Sequence, residues 1–198
     1  MYRHLEPDQI RHRLAHYGVK VVDDNLFPHL VGKQPKEAAV LIPLTQIEQE
    51  WHILFTRRTD RVESHKGQVS FPGGAREQDD SDAQATALRE SFEEIGLLPA
   101  HVALLGQMTQ RKTISNYLVT PVIGYYESPY EFNTNRFEVQ HVFTVPLRWL
   151  ANRENWFTYT FDETSNIVVK YRDYDGETVW GITAKITQDL IRTLDLGY

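Results

Sequence analysis

Apolar residues cluster along the chain in short runs that predict a series of β-strands. The run at 38–44 is continuous, as expected for a strand in the interior of a sheet, and a second run follows at 51–56. Shorter runs predict strands at 68–71, 102–105, 117–125 and 142–145. A hairpin is predicted over 166–180, with its turn at Asp175-Gly176.

Helical spacing of apolar residues predicts helices at both ends of the chain, over about 6–18 and 182–194, and a helical turn at 147–151. Strands and helices do not alternate regularly, so the order predicts an α/β fold with a mixed sheet sandwiched by helices. The chain has no repeat and no linker rich in glycine, proline or serine. We therefore expect a single domain over 1–198, with its core at about 38–194.

The clearest helix is predicted over 82–95. Asp82 is a good N-cap residue, and Gly96 is a typical residue at a helix C-terminus. Four apolar residues recur at spacings of three and four: Ala85, Leu88, Phe92 and Ile95. This pattern predicts that they form the buried face of the helix.

Composition narrows the class of protein. With 198 residues and 41% hydrophobic residues, the chain can bury a substantial core. The absence of cysteine excludes disulfides, thiol nucleophiles and cysteine-based metal sites. The N-terminus lacks the basic and then apolar order of a secretory signal, and no apolar run is long enough to span a membrane. We therefore expect a cytoplasmic protein without a membrane partner.

The negative charge of the chain is concentrated in one segment. The formal net charge is −6, and residues 77–94 contain seven acidic residues and one basic residue, while acidic and basic residues balance elsewhere. This charge argues against a nucleic-acid partner. It suggests a local function, such as binding a cation. A basic stretch that includes Arg57, Arg58 and Arg61 lies upstream, as an anionic substrate bridged to the protein by a metal ion would require.

Three glutamates lie close together on the predicted helix. Glu90, Glu93 and Glu94 span an arc of about 100°. Glu90 and Glu94 repel each other at a spacing of four, at a cost of about 0.2–0.5 kcal/mol, and the C-terminal end of a helix also disfavours anions. Arg89 offsets part of this cost through Glu93. A solvated acidic face explains the pattern as well, but a bound divalent cation would remove the remaining repulsion.

The segment Phe71-Pro72-Gly73-Gly74 connects a predicted strand to this helix. Paired glycines allow a ligand or metal ion to approach the backbone closely. Together, the loop, the acidic cluster and the order Arg-Glu-x-x-Glu-Glu indicate a functional site far more specifically than any one of these features does.

These residues resemble the signature box of the Nudix hydrolases, enzymes that cleave nucleoside diphosphates linked to another group. Gly74 and the segment Arg89-Glu90-Ser91-Phe92-Glu93-Glu94-Ile95-Gly96-Leu97 match most of the box. Three features depart from it. Asp80 replaces the first glutamate, eight residues rather than seven separate Asp80 from Arg89, and Ser91 replaces an apolar residue.

The departures resemble the branch of this family that hydrolyses coenzyme A. The upstream signature of that branch is similar to Leu54-Phe55-Thr56-Arg57-Arg58-Thr59, followed by Gly67 and the Phe-Pro-Gly-Gly segment. Glu63 stands where the signature has an arginine, and Arg61 is a neighbouring substitute. The segment 179–184 near the C-terminus also resembles this branch.

The resemblance implies the Nudix α/β/α sandwich, with the box as a loop–helix–loop. It implies Mg²⁺ or Mn²⁺ as cofactor, with Glu90 and Glu94 as the main ligands and Glu93 as a further ligand or the base for water. The Gly73 carbonyl would complete the coordination, and Arg89 would orient the carboxylates. The residues expected to bind the substrate are Arg58, Arg57, Arg61, Gly73 and Gly74. Guanidinium groups suit phosphate, but only Arg58 matches the signature of the branch, and surface positions are the alternative for Arg57 and Arg61.

The implied activity is metal-dependent hydrolysis of the pyrophosphate linkage of coenzyme A or its derivatives, giving phosphopantetheine and an adenosine bisphosphate. Because Glu63 breaks the signature, hydrolysis of ADP-ribose or a dinucleotide is the alternative. A nucleotide-sensing Nudix-like binding module is a more distant alternative. The sequence leaves a homodimer open.

Overall fold

The computed structural model describes residues 5–17, 21–22, 32–60, 66–161 and 166–196. Arg61 and Glu63, which the sequence analysis placed near the substrate, lie outside the described residues.

The described residues form four α-helices, two short 3₁₀ helices (Pro99–His101 and Arg153–Asn155) and eleven strands. The α-helices are α1 (Pro7–Tyr17), α2 (Ala83–Ile95), α3 (Leu147–Ala151) and α4 (Gly181–Thr193). The first six strands are β1 (Val21–Val22), β2 (Lys36–Ile47), β3 (Glu50–Arg58), β4 (Val69–Ser70), β5 (Gly73–Ala75) and β6 (Ala103–Gln107). The remaining strands are β7 (Gln110–Lys112), β8 (Tyr117–Tyr125), β9 (Val139–Pro146), β10 (Trp156–Phe161) and β11 (Asn166–Tyr171).

Nine strands form one mixed sheet. Its main path runs in the order β1-β7-β8-β2-β3-β4, and β5, β6 and β9 pair with β2, β8 and β3 respectively. β2 is parallel to β8 and antiparallel to β3. β10 and β11 form a separate two-stranded hairpin. No helix in the described part of the chain is long and apolar enough to cross a bilayer.

The two central strands, β2 and β3, separate over part of their length, and this split of the sheet positions the candidate site. β3 pairs with β2 only from Leu44 to Ile47, next to the turn that joins them, whereas β5 pairs with β2 from Ala38 to Val40. β4 pairs with β3 at Thr56 and Arg57. The segment from β4 to β5, which contains Phe71-Pro72-Gly73-Gly74, therefore fills the gap between β2 and β3.

Both faces of the sheet are covered, as the α/β/α sandwich requires. Ile53 and Phe55 of β3 belong to the larger core, which also contains residues of α1, α3 and α4. Leu54 belongs to a second core, which contains Ala87 and Ile95 of α2. Successive residues of a strand face opposite sides, so β3 contributes to both cores. The expected fold class is confirmed.

The buried face of α2 differs from the predicted one. Its buried residues are Thr86, Ala87, Ser91, Glu94 and Ile95. Phe92, expected in the core, is 49% exposed. The small side chains of Ala87 and Ser91 allow the helix to lie close to the sheet, and the Ser91 hydroxyl donates to the Ala87 carbonyl at 2.7 Å. Ser91 therefore occupies a buried position without an unsatisfied hydroxyl, although the box usually has an apolar residue there.

The C-terminal hairpin also differs from the prediction. β11 pairs along its length with β10, a strand that the sequence analysis missed, and meets the residues after the turn at Asp175-Gly176 only at its end, where Lys170 bridges Trp180 and the Tyr171 N–H donates to the Val179 carbonyl. That turn exists, with positive φ at both residues, but only isolated bridges flank it. β9 begins at Val139, three residues earlier than predicted. The other predicted helices and strands are confirmed, with small shifts of their bounds.

Candidate active site

Gly73 is required by close packing inside the split of the sheet. A Cβ atom at Gly73 would lie 2.4 Å from the Ala39 carbonyl oxygen and 2.6 Å from the Val40 Cα. Both atoms belong to the backbone of β2, which cannot move away without disturbing the sheet. β5 therefore fits beside β2 only with glycine at this position.

Gly74 makes room for a carboxylate rather than for backbone. A Cβ atom at Gly74 would lie 2.4 Å from Glu90 Oε1 and 2.8 Å from Glu90 Oε2. The glycine pair thus brings the β4–β5 segment into contact with both β2 and the helix of the box.

Glu94 is the most buried carboxylate of α2, with 2% of its surface exposed. Arg58 Nη1 lies 3.4 Å from Glu94 Oε1, and the Gly73 backbone also hydrogen-bonds to this carboxylate. Burial raises the pKa of Glu94 to about 8, although the nearby Arg58 charge opposes this shift. Glu94 Oε2 is buried and has no hydrogen-bond partner.

Glu90 and Glu93 share the guanidinium group of Arg89. Arg89 Nη1 donates to Glu90 Oε1 at 3.0 Å and to Glu93 Oε2 at 3.1 Å. Glu90 is largely buried, and burial raises its pKa against the effect of Arg89. The Glu93 side chain is 53% exposed. The three glutamates of α2 therefore lie in three different environments.

Asp80 holds Arg89 in place. Arg89 Nε donates to Asp80 Oδ1 and Nη2 donates to Oδ2, both at 3.0 Å, and the Glu77 backbone N–H also donates to Oδ2. The hydrogen bonds from Arg89 lower the pKa of Asp80 well below its usual range, and Asp80 in turn raises the pKa of Arg89. The first acidic position of the box, despite its shorter side chain and extra residue, thus anchors the arginine that contacts Glu90 and Glu93.

Arg57 and Arg58 face opposite sides of β3. Arg58 lies beside Glu94, as described above. Arg57 Nη1 instead donates to Glu177 Oε2 at 3.0 Å, and His141 Nε2 lies 3.0 Å from the other oxygen of Glu177. Of the three arginines proposed to bind substrate, the described structure therefore brings only Arg58 to the carboxylates.

Glu138 is a fourth carboxylate near the cluster, and the sequence analysis missed it. It is partly buried just before β9, and its charge raises the pKa of both Glu90 and Glu94. Asn135 Nδ2 donates to Glu138 Oε1 at 3.0 Å. No local pattern marks Glu138, because β9 reaches the site only through its pairing with β3.

The loop that contains Glu138 also caps the C-terminal end of α2. This β8–β9 loop (residues 126–138) supplies the Asn135 N–H to the Glu94 carbonyl at 2.8 Å and the Asn133 N–H to the Ile95 carbonyl at 3.1 Å. The Tyr130 hydroxyl donates to the Gly96 carbonyl at 3.1 Å. These bonds satisfy carbonyls that the end of a helix leaves unpaired, so they fix the part of α2 that carries Glu94.

The segment 179–184 supports the site from the opposite face of the sheet. Val179 is buried, and the Thr183 hydroxyl at the start of α4 donates to the Val69 carbonyl at 3.2 Å. Val69 lies in β4, directly before Phe71-Pro72-Gly73-Gly74. This C-terminal motif therefore contacts the strand that leads into the glycine pair.

The donor atoms suit a hard divalent cation. Mg²⁺ prefers carboxylate oxygens and usually takes one or two of them, together with water and substrate phosphates. The unpartnered Glu94 Oε2 and the neighbouring Glu90 carboxylate supply such atoms. Within the described ranges, no group of three or more His, Asp or Glu side chains is arranged as a ready metal site. Two carboxylates are nevertheless enough for a Mg²⁺ ion that also binds phosphate.

Comparison with known proteins identifies the family. The NUDIX domain matches residues 35–179. The chain belongs to the Nudix family. The match covers the split sheet, α2 and the β8–β9 loop, so the whole site lies within the Nudix domain. Together with the relatives below, it identifies the chain as a hydrolase of the pyrophosphatase type that acts on a nucleoside diphosphate derivative.

Two relatives extend the match along most of the chain. The uncharacterized Nudix hydrolases NudL of Yersinia pestis (strain Pestoides F) and of Yersinia pseudotuberculosis serotype O:1b (strain IP 31758) are each 33% identical over 169 residues. Each alignment covers 85% of this chain and 84% of the relative. The MutT/nudix family protein from Enterococcus faecalis has a similar fold, with a TM-score of 0.54 and 14% identity. That similarity covers 82% of this chain and 63% of the other.

Proposed function

We propose that this Nudix hydrolase cleaves the pyrophosphate linkage of coenzyme A or its derivatives, giving phosphopantetheine and an adenosine bisphosphate. The observation that carries the proposal is the position of Arg58, the arginine that matches the coenzyme A signature. It lies 3.4 Å from Glu94 and so stands where it can reach a phosphate bound at the carboxylates. Guanidinium groups bind phosphate oxygens through paired hydrogen bonds.

Hydrolysis of ADP-ribose or a dinucleotide is the second candidate. Glu63 carries the wrong charge for the coenzyme A signature, and Glu177 already engages Arg57. With Arg57 occupied, fewer cationic groups are available for the additional ribose phosphate of coenzyme A. A substrate without that phosphate needs fewer such groups.

We propose Mg²⁺ or Mn²⁺ as the cofactor, held by Glu90 and Glu94, with the Gly73 carbonyl as a further ligand and Glu93 as either a further ligand or the base for water. When bound, such a cation neutralises pyrophosphate charge and lowers the pKa of a bound water molecule. Glu94 must lose its proton before both of its oxygens can act as ligands. Arg89, fixed by Asp80, keeps the Glu90 and Glu93 carboxylates oriented.

Two carboxylates are candidates for the base that takes the proton of the attacking water. Glu93 is half exposed and is oriented by Arg89, whereas Glu138 is partly buried and is oriented by Asn135. A base must be free of full metal coordination and within hydrogen-bond reach of the water. Replacing each of them by glutamine tests the assignment. Only the replacement of the base should lower kcat and leave the metal affinity unchanged.

A substrate panel tests the proposed function. Coenzyme A, dephospho-coenzyme A, ADP-ribose and a diadenosine polyphosphate are incubated with the protein and Mg²⁺ or Mn²⁺, and the products are identified by mass. We expect the highest kcat/KM for coenzyme A, with phosphopantetheine and adenosine bisphosphate in equal amounts. A higher kcat/KM for ADP-ribose or the dinucleotide would favour the second candidate. Release of inorganic phosphate alone would contradict both.

A further inference from the structure

Phe137 is unusual among the exposed hydrophobic side chains of this protein. It is 75% exposed, more than any other large hydrophobic residue in the described ranges. One exposed hydrophobic residue is ordinary on a protein surface. The combination that distinguishes Phe137 is its high exposure, its fixed backbone and its position beside the carboxylates.

Hydrogen bonds hold the backbone of Phe137 in place at both its N–H and its carbonyl. The Phe137 N–H donates to Asn135 Oδ1 at 3.1 Å, and its carbonyl accepts from the Thr59 hydroxyl at 2.7 Å. The Glu138 N–H and the Val139 N–H both donate to the Asn135 carbonyl. The exposure of the ring is therefore not the exposure of a loose loop tip.

The same bonds place the backbone of Phe137 next to the segments that contact the carboxylates. Thr59 directly follows Arg58, which contacts Glu94, and the Asn135 N–H donates to the Glu94 carbonyl. Glu138, the next residue after Phe137, is close enough for its charge to act on Glu94. Phe137 thus stands between two segments that meet at the carboxylate cluster.

We propose that Phe137 is the platform on which the nucleobase of the substrate stacks. The inference rests on the proposed function, because a base is present only if the substrate is a nucleotide. An aromatic ring with a fixed backbone and an open face suits a nucleobase, which offers a flat π surface and is separated from the diphosphate by one ribose. A fixed backbone also reduces the ordering that binding requires.

Binding measurements test the platform with two probes. ADP carries a base and a diphosphate, whereas inorganic pyrophosphate carries only the diphosphate. Stacking on one aromatic residue changes affinity by roughly 5- to 100-fold. We therefore expect Phe137→Ala to raise the Kd for ADP by this factor, with less than about a twofold change for pyrophosphate. Phe137→Trp, which keeps a flat ring, should retain affinity for ADP.

The matched control is Phe157→Ala, which removes a 42% exposed phenylalanine from β10, outside the described site. It should bind both probes like the original protein. Unchanged ADP affinity in Phe137→Ala would overturn the platform, and so would an equal loss for ADP and pyrophosphate. Hydrolysis separates the two proposals. If the original protein cleaves no nucleotide, the proposed function fails. If Phe137→Ala cleaves its nucleotide substrate with unchanged KM, only the platform fails.

Discussion

Replacing Glu94 by glutamine removes the charge of a buried carboxylate while keeping its size and shape. The side chain lies at the end of α2 with 2% of its surface exposed. Burial raises its pKa from 4.5 to about 8, because the charged form loses its hydration and Arg58 compensates only in part. In the metal-free protein, Glu94 is therefore protonated at neutral pH, and its ionised form destabilises the fold.

The sign and size of the effect follow from linkage between protonation and folding. Between pH 4.5 and about 8 the folded protein keeps the Glu94 proton while the unfolded chain has released it. The free energy of unfolding therefore falls as pH rises through this range, and the loss is complete above the folded-state pKa. At about 1.36 kcal/mol per pKa unit, the full shift corresponds to about 5 kcal/mol, of which about 4 kcal/mol falls between pH 5 and 9. Glu94→Gln has no proton to lose and should not show this decrease.

The assay is urea unfolding in excess EDTA at several values between pH 5 and 9, for the original protein and for Glu94→Gln. We expect the stability of Glu94→Gln relative to the original protein to grow by on the order of 4 kcal/mol across this range. Glu93→Gln is the matched control, because Glu93 lies on the same helix with a side chain that is 53% exposed. Its relative stability should change by less than about 1 kcal/mol.

A constant difference between Glu94→Gln and the original protein over this range would refute the reasoning. It would mean that Glu94 is ionised in the folded protein at little cost. An equal pH dependence of Glu93→Gln would refute it as well, since the effect would then not depend on burial.

Two further predictions concern the groups that position the carboxylates. Gly73→Ala should cost about 1–3 kcal/mol of stability, because the added Cβ meets the backbone of β2. Gly74→Ala should unfold at nearly the original urea concentration, because its Cβ meets only the end of the flexible Glu90 side chain. Since it displaces that carboxylate, it should lose at least about tenfold in kcat/KM. Equal stability losses in the two variants would contradict this. Asp80→Asn should lower stability at neutral pH by about 1–3 kcal/mol. Because the pKa of Asp80 is lowered in the folded protein, the difference should stay constant above the ordinary aspartate pKa and should shrink steadily as pH falls below it toward the lowered folded-state pKa. A difference that does not shrink below the ordinary aspartate pKa would contradict the role of the charge.

Local patterns in the sequence were sufficient to predict α2, the helix of the box. Asp82 accepts from the Ala85 N–H at 2.9 Å, and Gly96 ends α2 in the left-handed conformation, as predicted. The box motif also indicated which carboxylates of α2 lie next to the glycine pair. These features depend on residues within a few positions of one another, so a single sequence reveals them.

The buried face of α2 could not be predicted from hydrophobicity. Apolar spacing placed Phe92 in the core, but the sheet lies too close for a large side chain and accepts Ala87 and Ser91 instead. Glu94 is buried although it is an acid, and it contacts Arg58 and the Gly73 backbone there. Close packing and these long-range contacts override the apolar pattern at these positions.

The contributions that distant segments make to the site could not be predicted from the sequence either. Glu138 comes near Glu94 because β9 pairs with β3, and the Asn135 N–H reaches the Glu94 carbonyl through the β8–β9 loop. Arg57 and Arg58 are adjacent and chemically identical. The alternation of β3 nevertheless directs Arg57 to Glu177 and Arg58 to Glu94. A motif that contains both arginines does not distinguish them.

The central claim is that the carboxylates of α2 carry metal-dependent hydrolysis of a pyrophosphate linkage. Its most direct test is the turnover of Glu94→Gln with Mg²⁺ or Mn²⁺ on the best substrate of the panel, compared with the original protein with and without excess EDTA. We expect kcat/KM of the folded variant to fall by orders of magnitude, and the original protein to lose its activity in EDTA. An unchanged rate in Glu94→Gln, or full turnover in EDTA, would contradict the claim.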